Sequence, residues 1–403
     1  MEKKFKKKMM LLEFIKSRIL IISCFAVSLS AIGQNEVSNI VIGTRIIINS
    51  EVLNQDREIQ VYTPPSYDTS IAKSYPVLYV LDGQEYFLHG IAYQDMLRFK
   101  DKTPPFIVIG IKTDRKQRRT LFYQESERFK AFLIEELIPY VDSNYRTAKE
   151  KERLYFGWEM AAGLGFEVLA DYPTLFSGYM LASPTHSTDK RMNTLSEIQN
   201  KGLHKLLFVS AGNEETWIHK DSDFLSNLGE LRSSHFAFYE NEDHYSTPTK
   251  TMHEGLSTYF NDYDAVRLRT LKALKDYGGI EVLEEYYKSR GERYGLSTEI
   301  HRETQHFLIL SAEKENNMEV FENFIKRFDT YIPTITRDLW INRYARFYLK
   351  HQMNAKAISL FNLGLEKFPK STLILNGLGD AYKANGNTDK ATFFYNKLSS
   401  VEN

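Results

Sequence analysis

The chain has 403 residues, with 52 basic and 52 acidic side chains, 26 Phe, 25 Tyr and a single cysteine. That length suits two domains, or one large domain with an extension, and the balanced charge offers no basic stripe for nucleic acid. One thiol excludes a disulfide framework and paired-cysteine metal sites.

Residues 1–33 read as an export signal. Lys3, Lys4, Lys6, Lys7, Lys8, Lys16 and Arg18 precede an apolar run from Ile19 to Ile32. Ala31-Ile32-Gly33 then places small residues at the −3 and −1 positions before Gln34. The run is too short to span a bilayer comfortably, so cleavage near Gly33 is expected, leaving a periplasmic or secreted protein. Membrane contact would come only through this segment if it stays uncleaved. Cys24 lies inside it, and Ile21-Ile22-Ser23-Cys24 loosely resembles a lipoprotein box; the reading adopted is an inert signal-peptide cysteine. Cleavage removes seven Lys/Arg and two Asp/Glu, leaving 45 against 50, a net of −5.

Residues 40–260, within a first domain spanning 34–262, alternate apolar β-rich runs with helical stretches. Ile40–Ile48 and Glu58–Tyr62 predict an opening pair of strands, the second ending at Pro64-Pro65. Val77–Leu81, Phe106–Ile111, Leu154–Phe156, Tyr179–Ala182 and Leu206–Ser210 are short, nearly all-apolar runs of buried-strand character. Phe129–Val141 has helical spacing, Leu164–Leu169 continues helically, and His235–Glu240 and Met252–Tyr259 predict the last strand and helix. This alternation predicts an α/β fold with a mostly parallel sheet covered on both faces.

The segment Leu154–Ala162 has the layout of the G-x-S-x-G nucleophile elbow, a strand, a sharp turn and a helix. Gly157 is present, but Glu159 stands at the serine position, and Ala161 and Ala162 replace the second glycine and its neighbour. A triad in chain order needs an acid and a histidine after later strands. Gly212-Asn213-Glu214-Glu215 and Asp243-His244-Tyr245-Ser246 sit at those places. His244 is the candidate base, and Glu215 or Glu214 would orient it. In isolation the histidine would read as a surface residue and the glutamates as a solvated turn. Ser183, Ser210 and Ser246 are alternative hydroxyls. No closely spaced histidine cluster or H-E-x-x-H occurs, so no metal and no cofactor is expected, and His186, His204, His219 and His235 read as surface or loop residues. Trp158 or Trp217 is placed to fill a pocket.

The C-terminal part is helical throughout, with 263–335 as a linker holding a degenerate repeat around Phe321–Phe328 and 336–403 as repeats. At a spacing of 34 residues, Ala345 pairs with Gly379, Tyr348 with Tyr382, Ala357 with Ala391, and Phe361 with Tyr395. This is the tetratricopeptide pattern of small residues opposed to aromatics. Two roles fit it: a cap that stabilises the first domain, or a concave face for a protein partner.

Several further segments carry a family resemblance. They are Leu78–Gly83, Glu135–Asp142, Tyr145-Arg146-Thr147, Tyr172–Tyr179, Ala182-Ser183-Pro184, and Asp243–Ser246 followed by His253–Leu256. Together they resemble the putative-esterase family of α/β-hydrolases, which includes siderophore-trilactone esterases. The resemblance covers about residues 38–260 and implies the α/β-hydrolase fold, with similar helical tails in some relatives. It also implies that Glu159 occupies the nucleophile position and His244 that of the base. The oxyanion-hole amides would come from Met160 and from the Asp82-Gly83 turn. Relatives tend to carry a longer acidic, glycine-containing loop where this chain has the basic, irregular stretch Arg115–Glu125.

A glutamate at the elbow lacks the hydroxyl proton that a histidine removes during acyl transfer. It would also repel an oxyanion forming beside it. The helix N-terminus favours its charge by about 0.3–1 kcal/mol, and an ion pair between Glu159 and a protonated His244 is one expectation. A relaxed elbow turn is another. The sequence therefore predicts an esterase-like fold without acyl-transfer chemistry, binding a small-molecule ester or other ligand in the old pocket or a protein through the repeats. The alternative is an active ester hydrolase using His244 with Glu159 as a carboxylate nucleophile, or with another nucleophile. Glutamate is one methylene longer than the aspartate of such enzymes, moving the attacking oxygens by about 1.5 Å.

Overall fold

The computed structural model describes residues 38–70, 73–99, 101–186, 206–213, 215 and 234–402. The chain divides into two compact units, Met1–Gly43 and Thr44–Asn403. Within the first, the described residues 38–43 are exposed and have no regular structure. The export signal, Cys24, His204, Glu214, Trp217 and His219 lie outside the described residues. Among those described, no helix is long and apolar enough to cross a membrane.

The second unit opens with an eight-stranded sheet, which bears out the α/β expectation. Its strands are β1 (Thr44–Ser50), β2 (Gln55–Tyr62), β3 (Val77–Leu81) and β4 (Ile107–Ile111), then β5 (Arg153–Trp158), β6 (Gly178–Ala182), β7 (Leu206–Gly212) and β8 (Ser234–Tyr239). Their order in the sheet is β1-β2-β4-β3-β5-β6-β7-β8. β2 runs antiparallel to both β1 and β4, and all other pairs are parallel. The first strand starts at Thr44, so Ile40–Gly43 fall outside it, contrary to the run expected from Ile40.

Because side chains alternate across a strand, β3 feeds two cores. Val77, Tyr79 and Leu81 join one cluster with the helices on that face, and Leu78 and Val80 join the other. That double burial explains why the central strands read as unbroken apolar runs. The helices α1 (Gly83–Arg98), α2 (residues 126–144), α3 (Met160–Asp171) and α4 (Thr247–Tyr259) cover the sheet. The sequence reading missed α1, whose apolar positions are interrupted by glutamine, histidine and aspartate. It is anchored at the residue before β4: Gln94 is buried and exchanges two hydrogen bonds with the backbone of Phe106, at 2.8 and 3.1 Å.

The tail continues as α5 (Leu271–Tyr277), α6 (Ile280–Tyr294), α7 (Arg302–Lys314), α8 (Met318–Arg327), α9 (Asp338–Lys350), α10 (Asn354–Lys367), α11 (Thr372–Ala384) and α12 (Thr388–Glu402). Side-chain caps mark several starts: Thr270, Asn317 and Ser371 each accept a backbone N–H three residues on. Ala345, Ala357 and Ala381 are fully buried among Phe321, Tyr344 and Phe361 in a separate core. Gly377 abuts the ring of Phe361 and Gly379 that of Tyr395, so α11 needs a residue without a Cβ at both positions.

The tail is fastened to the sheet at the starts of the parallel strands. Arg293 on α6 grips Glu152, the residue before β5, at 2.9 and 3.0 Å, and Asp262 at 2.8 and 3.0 Å. Tyr259 at the end of α4 donates to the same Glu152 at 2.7 Å. Glu152 is almost fully buried, so its charge depends on these partners.

Candidate functional site

The elbow turn joins β5 to α3. Glu159 has φ 56° and ψ −118°, so the expected relaxation has not happened. The turn is pinned from both sides. The Glu159 N–H donates to Ala182 O at 3.0 Å, and its carbonyl accepts from Gly163 N at 3.0 Å and from Thr185 N at 3.1 Å. Gly157 makes the sharp reversal possible, because a Cβ there would lie 2.6 Å from the carbonyl oxygen of Ala161. Ala161 and Ala162 are fully buried and are accommodated without relaxing the turn. Strain of this kind costs about 1–3 kcal/mol and persists where surrounding contacts hold it.

Met160 is the first residue of α3, so its amide has no acceptor within the helix. Across from it, Asp82 adopts a left-handed conformation at φ 53°, and Gly83 opens α1. Gly83 is pressed onto β4, where a Cβ would meet the backbone of Gly110 at 2.6 Å. The two amide positions implied by the resemblance thus flank the elbow from β5 and β3.

His244 lies on the loop between β8 and α4. Its Nδ1 is 2.7 Å from Oε1 of Glu215, and the other oxygen of Glu215 accepts from Gly212 N at 2.6 Å. Glu215 is buried, and a carboxylate so held fixes the imidazole with Nδ1–H toward it and the Nε2 lone pair outward. The indole N–H of Trp158 donates to His244 O at 2.8 Å, and the two rings lie 5.1 Å apart.

Glu159 and His244 line the same cavity of about 460 Å³, but the expected ion pair between them is absent among the described contacts. Glu159 instead accepts from Nη1 of Arg118. Nε of the same guanidinium donates to both oxygens of Asp82, at 3.1 and 3.2 Å, and Nη2 reaches Asp82 at 3.0 Å and Trp158 O at 3.3 Å. Arg118 therefore bridges the β3 turn and the elbow, over the face of Trp158. Only a tenth of its side chain is exposed.

The loop carrying Arg118 is braced from behind. Buried Arg57 on β2 donates to Lys112 O at 2.8 Å and to Gln117 Oε1 at 3.3 Å, while Gln84 on α1 accepts from Thr113 N at 2.9 Å. The charges are coupled. Burial pushes the Asp82 carboxyl up to about 6, outweighing the pull of Arg118. Burial also works against the charge on Arg118, yet Asp82 and Glu159 together raise its pKa above the ordinary arginine value.

The alternative hydroxyls point elsewhere. Ser183 pairs with Thr247 at 2.6 Å and Ser210 with Thr251 at 2.5 Å, all four buried, and Ser246 accepts from Asp243 N at 2.9 Å. His186 bonds Thr185 at 2.9 Å and His235 stacks on Phe208. Among the described residues, no group of three His, Cys, Asp or Glu is placed to hold a metal ion. Arg118 is the residue that sequence reasoning missed. Its only trace was the basic character of Arg115–Glu125.

Residues 50–254 match the model of a family described as "Putative esterase". The uncharacterised protein YjcH of Bacillus subtilis (strain 168) is 29% identical over 177 residues, covering 42% of this chain and 72% of that protein. An IroE-like serine hydrolase from Shewanella oneidensis has a similar structure, with a TM-score of 0.51 at 21% identity over 71% of this chain and 99% of that one. An uncharacterised protein from Capnocytophaga ochracea DSM 7271 gives a TM-score of 0.57 at 17% identity, over 80% of this chain and 93% of that one. These likenesses in structure bear on the fold alone.

Proposed function

The chain belongs to the "Putative esterase" family, and on that premise we propose that it is an exported α/β-hydrolase-fold protein whose pocket binds a ligand without hydrolysing it. In this reading Glu159 stands in place of the nucleophilic serine. One observation carries the proposal: the Glu159 carboxylate is ion-paired to Arg118, itself held by Asp82. A carboxylate offers no proton for His244 to remove, and pairing with a guanidinium lowers its nucleophilicity. The guanidinium also spans the ground between the two oxyanion-hole positions. Acyl transfer thus lacks both its nucleophile and its space. The tail, read as tetratricopeptide repeats, either steadies the first domain or carries a surface for a protein partner.

The test is ester turnover on a panel of acyl and aryl esters by the wild type and by Glu159→Ser. The wild type is expected to be silent. The serine variant is expected to gain at least about tenfold over background, and His244→Ala in that variant to remove the gain. Turnover by the wild type, abolished by His244→Ala, would overturn the proposal.

A second reading, an active ester hydrolase, draws on the 2.7 Å contact between His244 and Glu215 and on the strained elbow. Both features are ones that working sites keep. It requires Glu159 to leave Arg118 before it can attack.

A further inference from the structure

The floor of the pocket presents hydrogen-bond acceptors that are free to take a ligand. Every nitrogen of Arg118 is already engaged. Among the described residues, Oε1 of Glu159 and Nε2 of His244 have no hydrogen-bond partner, although both side chains are about a fifth exposed to the cavity. With Nδ1–H committed to Glu215, Nε2 of a neutral His244 is an acceptor. Among the described residues, the Glu85 carboxylate on the rim meets only Arg115, at 3.7 Å, and the Arg115 side chain is 86% exposed. Asp82, Glu85 and Glu159 set three carboxylates against two guanidiniums in the wall, a surplus of one negative charge. Aromatic faces complete it: Tyr86 packs 6.1 Å from Trp158, and Tyr245, three-quarters exposed, packs 5.9 Å from it.

Resting on the binding reading above, we infer that the ligand of this pocket is a cationic amine, whose N–H groups are received by Glu159 and His244 and whose charge and apolar body face Glu85 and the aromatic rim. Anions fit worse, because they meet the surplus carboxylate and the acceptor atoms of Glu159 and His244. An ammonium is attracted both by the surplus carboxylate and by aromatic faces. The elbow strain places Glu159 for this role: the backbone turn lifts its side chain to the top of the sheet, and Arg118 holds one oxygen still while leaving the other to the cavity.

The experiment compares benzylammonium, benzyl alcohol and benzoate as matched probes, by calorimetry and tryptophan fluorescence at low salt and neutral pH. The purified wild type is expected to bind benzylammonium at least about tenfold more tightly than either isostere, with affinity falling as salt rises. Glu85→Gln is expected to weaken that binding several-fold. Glu159→Gln is expected to reverse the order in favour of benzoate, because it removes the anion and leaves Nη1 of Arg118 without its charged acceptor. Equal or tighter binding of benzoate by the wild type overturns the inference. So does an unchanged order in Glu159→Gln, or binding of none of the three up to about 10 mM. An ester assay on the same preparation separates the two claims. Turnover sinks the non-hydrolytic reading, whereas silence without amine preference sinks only this one.

Discussion

Arg118 and Glu159, 41 residues apart in the chain, meet at the elbow with the guanidinium donating to the carboxylate. The same guanidinium holds Asp82, so one cation serves two carboxylates from two different strand ends.

Removing that cation strands both acids. Arg118→Ala is expected to destabilise the protein by about 3 kcal/mol, the scale for breaking a buried pair on one side. Adding Glu159→Ala should recover part of the loss, because the two substitutions act on one contact. Urea unfolding of the single and double variants measures the coupling, and strict additivity would show that the pair contributes nothing.

Asp82 makes stability depend on pH in a defined direction. Its carboxyl, raised from 3.8 to about 6 mainly by burial, binds its proton more readily in the folded state than in the unfolded one. The stability so gained is fully present below about 3.8 and is lost as pH rises through about 6. Wild type compared with Asp82→Asn should therefore gain on the order of 1–3 kcal/mol between pH 7 and pH 4. A difference that shrinks with acid would mean that the pairing with Arg118 dominates.

Gly157→Ala tests how tightly the elbow is packed. The new Cβ would meet the Ala161 carbonyl, which belongs to the backbone and cannot swing aside. A loss of about 1–3 kcal/mol is expected, together with a changed fluorescence of Trp158, its neighbour in the turn. A variant as stable as wild type would show that the strand–helix contact has slack.

The joint between sheet and tail should behave as a separate weak point. Arg293→Ala leaves Glu152 buried without its charge partner. Thermal unfolding is expected to split into two transitions, the earlier one tracking the tail helices by circular dichroism. A single unshifted transition would mean that apolar contacts alone fasten the tail.

The strands and the elbow were legible because they are local. Three to six nearly all-apolar residues in a row state that both faces are buried, and Gly157-x-Glu159 sits at the end of such a run. His244 and Glu215 were legible as places in an order, although nothing local distinguishes Glu215 from Glu214. The Arg118 contact was not legible, since it depends on a brace from Arg57 and on two carboxylates brought up by the sheet. For the same reason the clasp with His244 was mistaken: the sequence shows two charges that could meet, not a third that arrives first. The turn was expected to relax because an alanine looks too large there, but the space is made by Gly157, four residues earlier than Ala161.

The grip of Arg293 on Glu152 sits where β5 begins, and the pocket opens where β5 ends, about 20 Å further along the strand. The tail therefore cannot serve as a lid or a plug for the pocket through this joint. On the binding reading, a partner held at this joint would sit at the opposite end of β5 from the mouth of the cavity.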